Sequence, residues 1–306
     1  MSIRIYNLEF PAYIDRLSLG GYTFRRVPEY KDRVRTLHHL FKHFHEFDID
    51  ANFGGHAVTA EVTLPDPEPP PLLKWGKPTA THLDDVLLIL SLFTMRHVWA
   101  EEGGQGVIIA DHRFYQQGWA LRQGIPFIEQ NQGGMRIDVG FEPGINGVLK
   151  LMGNEDWRAR YRSGHYLLLA NHAFRRQILE TSFSLCWTIW EHLFALHNDS
   201  WLGRQSIHRI SGKEKVTFVL SRYGFQGHVN LVDSPLIEEL EQVRNRLIHF
   251  GMFPEEKSKE KATAFIKWTE YLIARTLGLY GIETFDSLEK FEAAVNLKGS
   301  PQQGTQ

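Results

Sequence analysis

The sequence predicts an α+β N-terminal domain followed by an all-α helical bundle, and three observations carry that expectation. Short segments in the first half alternate apolar and polar side chains, the period of a half-buried strand. Past about residue 160 the apolar residues recur at helical spacing instead. The helical stretches of that second half also begin and end on residues that suit helix caps. The expected division is a mixed domain over 1–160, a helical bundle over 161–297 and a disordered tail over 298–306.

Taken in order, "SIRIYNLEF" (2–10) reads as a strand, and "IDRLSLGGYTFRRV" (14–27) as two strands joined at Gly20 and Gly21. "KDRVRTLHHLFKHF" (31–44) places Val34, Leu37, Leu40, Phe41 and Phe44 at helical spacing. "HAVTAEVTLP" (56–65) alternates again, whereas "PDPEPPPLLKWGKP" (65–78) is dense in proline, which donates no backbone hydrogen bond, and reads as an exposed loop. "HLDDVLLILSLF" (82–93) reads as a buried helix with Asp84 and Asp85 suited to its first turn. "GVIIADHRF" and "MRIDVGF" read as further strands, and no glycine-rich phosphate loop accompanies them.

The second half opens with "YLLLANHAFRRQILETSFSLCWTIWEHLFALHND" (166–199), a long stretch free of proline and glycine. "GKEKVTFVLSRYG" reads as a short helix ended by Gly224. "SPLIEELEQVRNRLIHFG" (234–251) has Ser234 as N-cap, Pro235 at the first helical position, Glu238 and Glu239 early, and Gly251 as the stop. "SKEKATAFIKWTEYLIARTLGLYG" and "FDSLEKFEAAVN" read as the last two helices.

With 306 residues the chain can hold two ordinary domains. A net charge of −2 sets up no strong field toward nucleic acid or membrane, although a local basic cleft can sit on a neutral protein. The single cysteine, Cys186, cannot form an internal disulfide and reads as a small buried side chain. "MSIRIYNLEF" lacks a signal-peptide core, and the longest apolar run, "VLLILSLF", falls short of the ~20 residues of a membrane span. A cytoplasmic protein with no membrane partner is therefore expected.

The segment richest in chemistry is "VRNRLIHFG" (243–251). On a helical projection Leu236, Leu240, Val243 and Leu247 form a core stripe, with Arg244 at its edge. Asn245 and His249, four residues apart, lie on the far side and can touch. His249 thus faces solvent or a surface brought by a partner. A bland explanation is a surface histidine near a helix end, with Arg244 and Asn245 beside it by chance. Lys213, Lys215, Arg222, Arg244 and Arg246 offer a basic rim, or simply a solvated charged face.

An arginine, a polar residue directly after it and a histidine closing the third helix of a helical domain resembles the HEPN superfamily. These helical domains occur in RNA-cleaving toxins, CRISPR-associated nucleases and antiphage proteins. "RNRLIHF" matches their signature with Arg244, Asn245 and His249, and "WTIWEHLF" places Glu191 on an early helix, as such domains often do. The resemblance covers residues 160–297. A mixed domain followed by a helical one looks most like bacterial proteins with an ApeA-like HEPN domain. It implies a metal-independent endoribonuclease, with Arg244, Asn245 and His249 catalytic and Glu191 and Arg246 supporting. It also implies an RNA substrate, a homodimer formed through the helical domain, an antitoxin or regulatory protein as partner, and no cofactor. One HEPN subgroup carries a modifiable tyrosine two residues after the histidine. Gly251 stands there, which argues against that form of control.

The chemistry needs no metal, because the RNA 2′-hydroxyl is itself the nucleophile. A histidine can move the protons, and a forked arginine can hold phosphate oxygens. Acid and base are two jobs, and a twofold dimer would bring two imidazoles to one cleft. The second reading is a non-catalytic HEPN module for dimerisation or binding. A third is a metal enzyme built on "LHHLFKHFHEF", where His38, His39, His43 and His45 sit together and His39 and His43 share a helix face. That segment lacks the HExxH glutamate and an evident third ligand. Residues 1–160 are expected to serve as a sensor or specificity domain.

Overall fold

The computed structural model describes residues 2–10, 14–34, 58–73, 81–94, 98–100, 141–175, 179–225, 231, 234–253, 255–279 and 285–296. The chain divides into two compact units, and the division falls at residue 179 rather than at 161. Described residues up to 175 belong to the first unit, and those from 179 onward to the second.

The first unit is built on a five-stranded antiparallel sheet of order β2-β3-β4-β1-β5. Its strands are β1 (Ser2–Tyr6), β2 (Arg16–Leu19), β3 (Tyr22–Arg26), β4 (Val58–Thr63) and β5 (Trp99–Ala100). The hairpin at Gly20 and Gly21 forms as the sequence reads, pairing Leu19 with Tyr22. Gly20 has a φ of 57°, and an added Cβ would lie 3.0 Å from Val86 and 3.1 Å from both His82 and Leu149. Only glycine fits both the backbone and the space. Alternation puts Leu17, Leu19, Tyr22, Phe24 and Val62 inside.

Helix α1 (His82–Thr94) is buried along most of its length. Its Asp85 is fully buried and holds the proline-rich loop, accepting the Leu72 N–H at 2.6 Å and the Leu73 N–H at 3.2 Å. Helices α2 (Phe141–Met152), α3 (Glu155–Tyr161) and α4 (Ser163–Arg175) follow, with α2 and α4 packed on α1. Asn146 of α2 clasps the hairpin, accepting from Gly20 N at 2.9 Å and donating to Ser18 O at 2.8 Å. Periodicity correctly makes 163–175 helical, but this helix belongs with the sheet. Buried Ala170 and Ala173 allow close approach, and Asn171 donates to Leu88 O at 3.3 Å.

The second unit comprises α5 (Leu179–Ile207), α6 (Gly212–Tyr223), α7 (Pro235–Phe250), α8 (Glu256–Thr276) and α9 (Leu288–Asn296). The long stretch 166–199 is therefore two helices in two units. Helix α5 breaks at Gly203, whose φ is 67°. Its face of Phe183, Trp187, Trp190 and Phe194 is buried, as is Cys186 between them. Trp190 stacks on Phe265 of α8 with centroids 4.9 Å apart, and its indole N–H donates to Thr269 at 2.8 Å. Such a filled, satisfied site typically contributes ~3–5 kcal/mol against truncation to alanine.

No helix among the described residues is long and apolar enough to cross a membrane. The expected helix over 31–44 is described only to residue 34, up to which the chain is helical from residue 30. The histidines His38 to His45, the segment "GVIIADHRF", all of "MRIDVGF" except Phe141, and the tail lie outside the described residues.

Candidate functional site

Helix α7 carries the Arg-Asn-x3-His segment, and its caps fix where that segment ends. Pro235 opens the helix, and Gly251 closes it in the left-handed region at φ 73°, its N–H donating to Leu247 O at 2.8 Å. Ser234 stands at the N-cap with extended backbone but makes no side-chain cap bond. The buried stripe is Ile237, Leu240, Val243 and Leu247. Ile237 takes the place expected of Leu236, which is half-buried. At 100° per residue, taking Ile237 in place of Leu236 widens the buried stripe from roughly 60° to roughly 120° of the helix.

That phase sets the exposure of the polar residues. Arg244 is half-buried at the edge of the stripe, while Asn245, Arg246 and His249 are exposed. Among the described residues the His249 ring has no hydrogen bond or ion pair. Three large apolar side chains flank it in sequence: Ile248 is 59% exposed, Phe250 73% and Met252 63%.

Arg244 is held from three sides. Its Nη1 donates to the neighbouring Asn245 Oδ1 at 3.1 Å. Its Nη2 lies 3.9 Å from Oε1 of Glu191 on α5. Its guanidinium carbon lies 5.9 Å from the centroid of the Trp187 ring, also on α5. Trp187 is a rigid floor, buried against Phe183 and Phe265.

Helix α6 supplies the third wall. Lys215 is only 8% exposed, and its Nζ lies 3.3 Å from the same Glu191 oxygen that faces Arg244. One carboxylate oxygen thus serves two cations on two other helices. Sequence reading placed Lys215 among rim candidates, whereas it is the buried member of this group. Of the others, Lys213 pairs with Glu238 at 3.4 Å and Arg246 with Glu255 at 3.8 Å, both surface pairs of small energetic weight. Arg222 is exposed on the last turn of α6.

The start of α6 is held tightly. Ser211 and Glu214 form a capping box, in which Glu214 N–H donates to Ser211 Oγ at 3.2 Å and Ser211 N–H to Glu214 Oε2 at 2.9 Å. The Ser211 hydroxyl, which also donates to Glu214 Oε2 at 2.8 Å, and then the Ser211 N–H hold the Glu214 carboxyl below its ordinary range. Gly212 N–H donates to Glu241 Oε1 of α7 at 2.6 Å. An added Cβ on Gly212 would come within 2.7 Å of Trp187.

Between these elements lies a cavity of about 380 Å³, with Arg244, Lys215, Glu191, Glu241, His208 and Arg209 in its lining. His208 and Arg209 sit on the turn between α5 and α6. Neither was singled out by sequence reading, because only tertiary packing brings that turn beside Arg244. His249 is not part of this lining. The structure therefore brings Arg244, Asn245 and Glu191 together, and leaves His249 and Arg246 on the open face of α7.

No protein-family model matches the chain, and no curated protein or solved structure does either.

Proposed function

We propose that this protein is a metal-independent endoribonuclease of the HEPN type, acting as a homodimer in the manner of that superfamily's toxins and antiphage effectors. The observation that carries the reading is the Arg244 site. An arginine with its fork held by Glu191 and Asn245 stands on the same helix as an exposed histidine that has no competing partner among the described residues. In the proposed reaction an imidazole takes the proton of the RNA 2′-hydroxyl, and that oxygen attacks phosphorus. The bond from phosphorus to the 5′-oxygen breaks, and a second imidazole, protonated, gives the leaving oxygen its proton. The Arg244 fork stabilises charge gathering on the non-bridging oxygens. His249 supplies one imidazole, and His249 of a second copy the other. The exposed Ile248, Phe250 and Met252 beside it favour a protein surface meeting this helix end.

Two substitutions test the reading. His249→Ala and Arg244→Ala should each abolish RNA cleavage or toxicity. Arg244→Lys should not restore it, because an ammonium cannot fork onto two oxygens. His249 is exposed, so its loss should change stability by no more than about 0.5 kcal/mol. Full cleavage by His249→Ala, or unfolding of that variant, would remove the assignment.

A second reading is a non-catalytic binding or dimerisation module. It is favoured by the same apolar trio and by an Arg244 fork already engaged within the chain. A folded protein that binds a partner through this helix end and cleaves no RNA would support it.

A further inference from the structure

The cavity beside Arg244 has the wrong composition for a filled core and the right one for an anion. Its lining holds three permanent cations, Arg209, Lys215 and Arg244, against two carboxylates, Glu191 and Glu241. Both carboxylates are already committed. Glu241 accepts the Gly212 N–H at 2.6 Å, at the positive end of the α6 dipole. One oxygen of Glu191 lies between Lys215 and Arg244, at 3.3 Å and 3.9 Å. By contrast, the side chains of Arg209 and His208 have no hydrogen bond or ion pair among the described residues, and both residues are exposed. Donors therefore face this space with no acceptor for them among the described residues. The first N–H groups of α6 are spent on Glu214 and Glu241, so the cavity's attraction for an anion comes from side chains. A volume of about 380 Å³ lies at the small end of ligand sites, enough for a phosphate and part of the sugar that bears it.

We infer that this cavity is a phosphate-ester subsite for a nucleotide, in which Arg209, Lys215 and Arg244 bind the phosphate and His208 adds a further donor. Glu191 is the internal anion that holds Lys215 and Arg244 in place until the phosphate arrives. An incoming phosphate offers the fork of Arg244 two oxygens where Glu191 offers one at 3.9 Å, which favours the exchange. On the ribonuclease reading, the bound group is the backbone phosphate adjoining the scissile bond, and Arg244 stands between subsite and cleavage centre. The subsite itself rests only on the cavity. The shared chemistry is a phosphate monoester or diester, and a free nucleotide and an RNA chain are its two sources.

Calorimetric titration of the full chain tests this with inorganic phosphate, uridine 3′-phosphate and a fully 2′-O-methylated RNA, which keeps the phosphates but lacks the nucleophile. Uridine 3′-phosphate or the methylated RNA should bind more tightly than inorganic phosphate, and whichever binds better identifies the source. Arg209→Ala should weaken that binding about tenfold, as expected for one charge-assisted bond. Glu191→Gln should strengthen it by a similar factor by removing the competing anion. Because Glu191→Gln also leaves buried Lys215 without its partner, His208→Ala, at an exposed turn position, serves as a second independent variant and should weaken binding severalfold. Affinity unchanged within twofold in both Arg209→Ala and His208→Ala overturns the inference, as does the failure of all three probes to bind. The two readings separate cleanly. Nucleotide binding that these variants weaken, in a protein that cleaves no RNA, keeps the subsite and removes the nuclease. RNA cleavage that is indifferent to Arg209→Ala, with no nucleotide bound, keeps the nuclease and removes the subsite.

Discussion

Gly212→Ala should destabilise the second unit, against the usual direction of a glycine-to-alanine change in a helix. Helix propensity alone favours alanine by up to ~1 kcal/mol at an interior position, and by less at the first position of α6. The space is the opposing effect. A Cβ at 212 would lie 2.7 Å from Trp187 Cζ2 and 2.9 Å from Glu241 Oε1. The carboxylate can swing away, though only by giving up its 2.6 Å bond to the Gly212 N–H. The indole cannot, because Trp187 is 3% exposed and wedged by Phe183 and Phe265 at centroid distances of 5.9 and 5.2 Å. Overpacking of this kind costs ~1–3 kcal/mol. Less the propensity gain, the net loss is about 1–2 kcal/mol. Urea unfolding followed by tryptophan fluorescence reads it as a lower midpoint at unchanged slope. The same shift should disturb the ring beneath Arg244, so the proposed RNA cleavage should fall with stability. A variant as stable as the parent, or more so, would refute the reasoning and with it the rigid floor assigned to Trp187.

Two further outcomes follow from local chemistry. Asp85→Ala strips a fully buried carboxylate from the Leu72 and Leu73 N–H groups, and should cost about 3 kcal/mol while opening the 65–73 loop to protease; a loop still resistant to cleavage contradicts that role. Ser211→Ala breaks the capping box whose donors hold the Glu214 carboxyl below its ordinary range. A folded-state value below the unfolded one means that the contribution is full above pH ~4.3 and is lost as pH falls through the folded value. The stability gap between parent and variant should therefore narrow from pH 7 to pH 3, and a gap that widens on acidification would contradict the assignment.

Much of the local structure was legible because it rests on local causes. The Gly20–Gly21 hairpin, the acidic start of α1, the Pro235 and Gly251 ends of α7 and the short helix α6 ending at Gly224 each follow from a few adjacent residues. What was not legible depends on partners distant in sequence. Helical periodicity shows that 163–175 has an apolar face but not which core receives it, so α4 read as part of the bundle although it packs on α1. The sheet order β2-β3-β4-β1-β5 joins strands from opposite ends of the domain, and no single segment encodes it. At the site, Arg244, Asn245 and Glu191 were legible from a motif and a helix position. Lys215 was not, since a lysine on an amphipathic helix looks solvated until α5 is folded against it. His208 and Arg209 lie on a turn with no pattern of its own, and Gly212 shows its tightness only against Trp187.

The measurement that bears most directly on the ribonuclease account is the chemistry of the fragment ends. The purified protein is incubated with mixed RNA and with DNA in excess chelator, and the termini of any fragments are identified. Attack by the neighbouring 2′-hydroxyl needs a proton acceptor, a proton donor and a phosphate clamp, the roles proposed for His249 and Arg244 in two copies. The account predicts cleavage that survives chelation, leaves a 2′,3′-cyclic phosphate and a 5′-hydroxyl, spares DNA, and follows a bell in pH as base and acid each lose their working form. Cleavage that stops in chelator and leaves a 5′-phosphate, the mark of a metal-activated water, would contradict it.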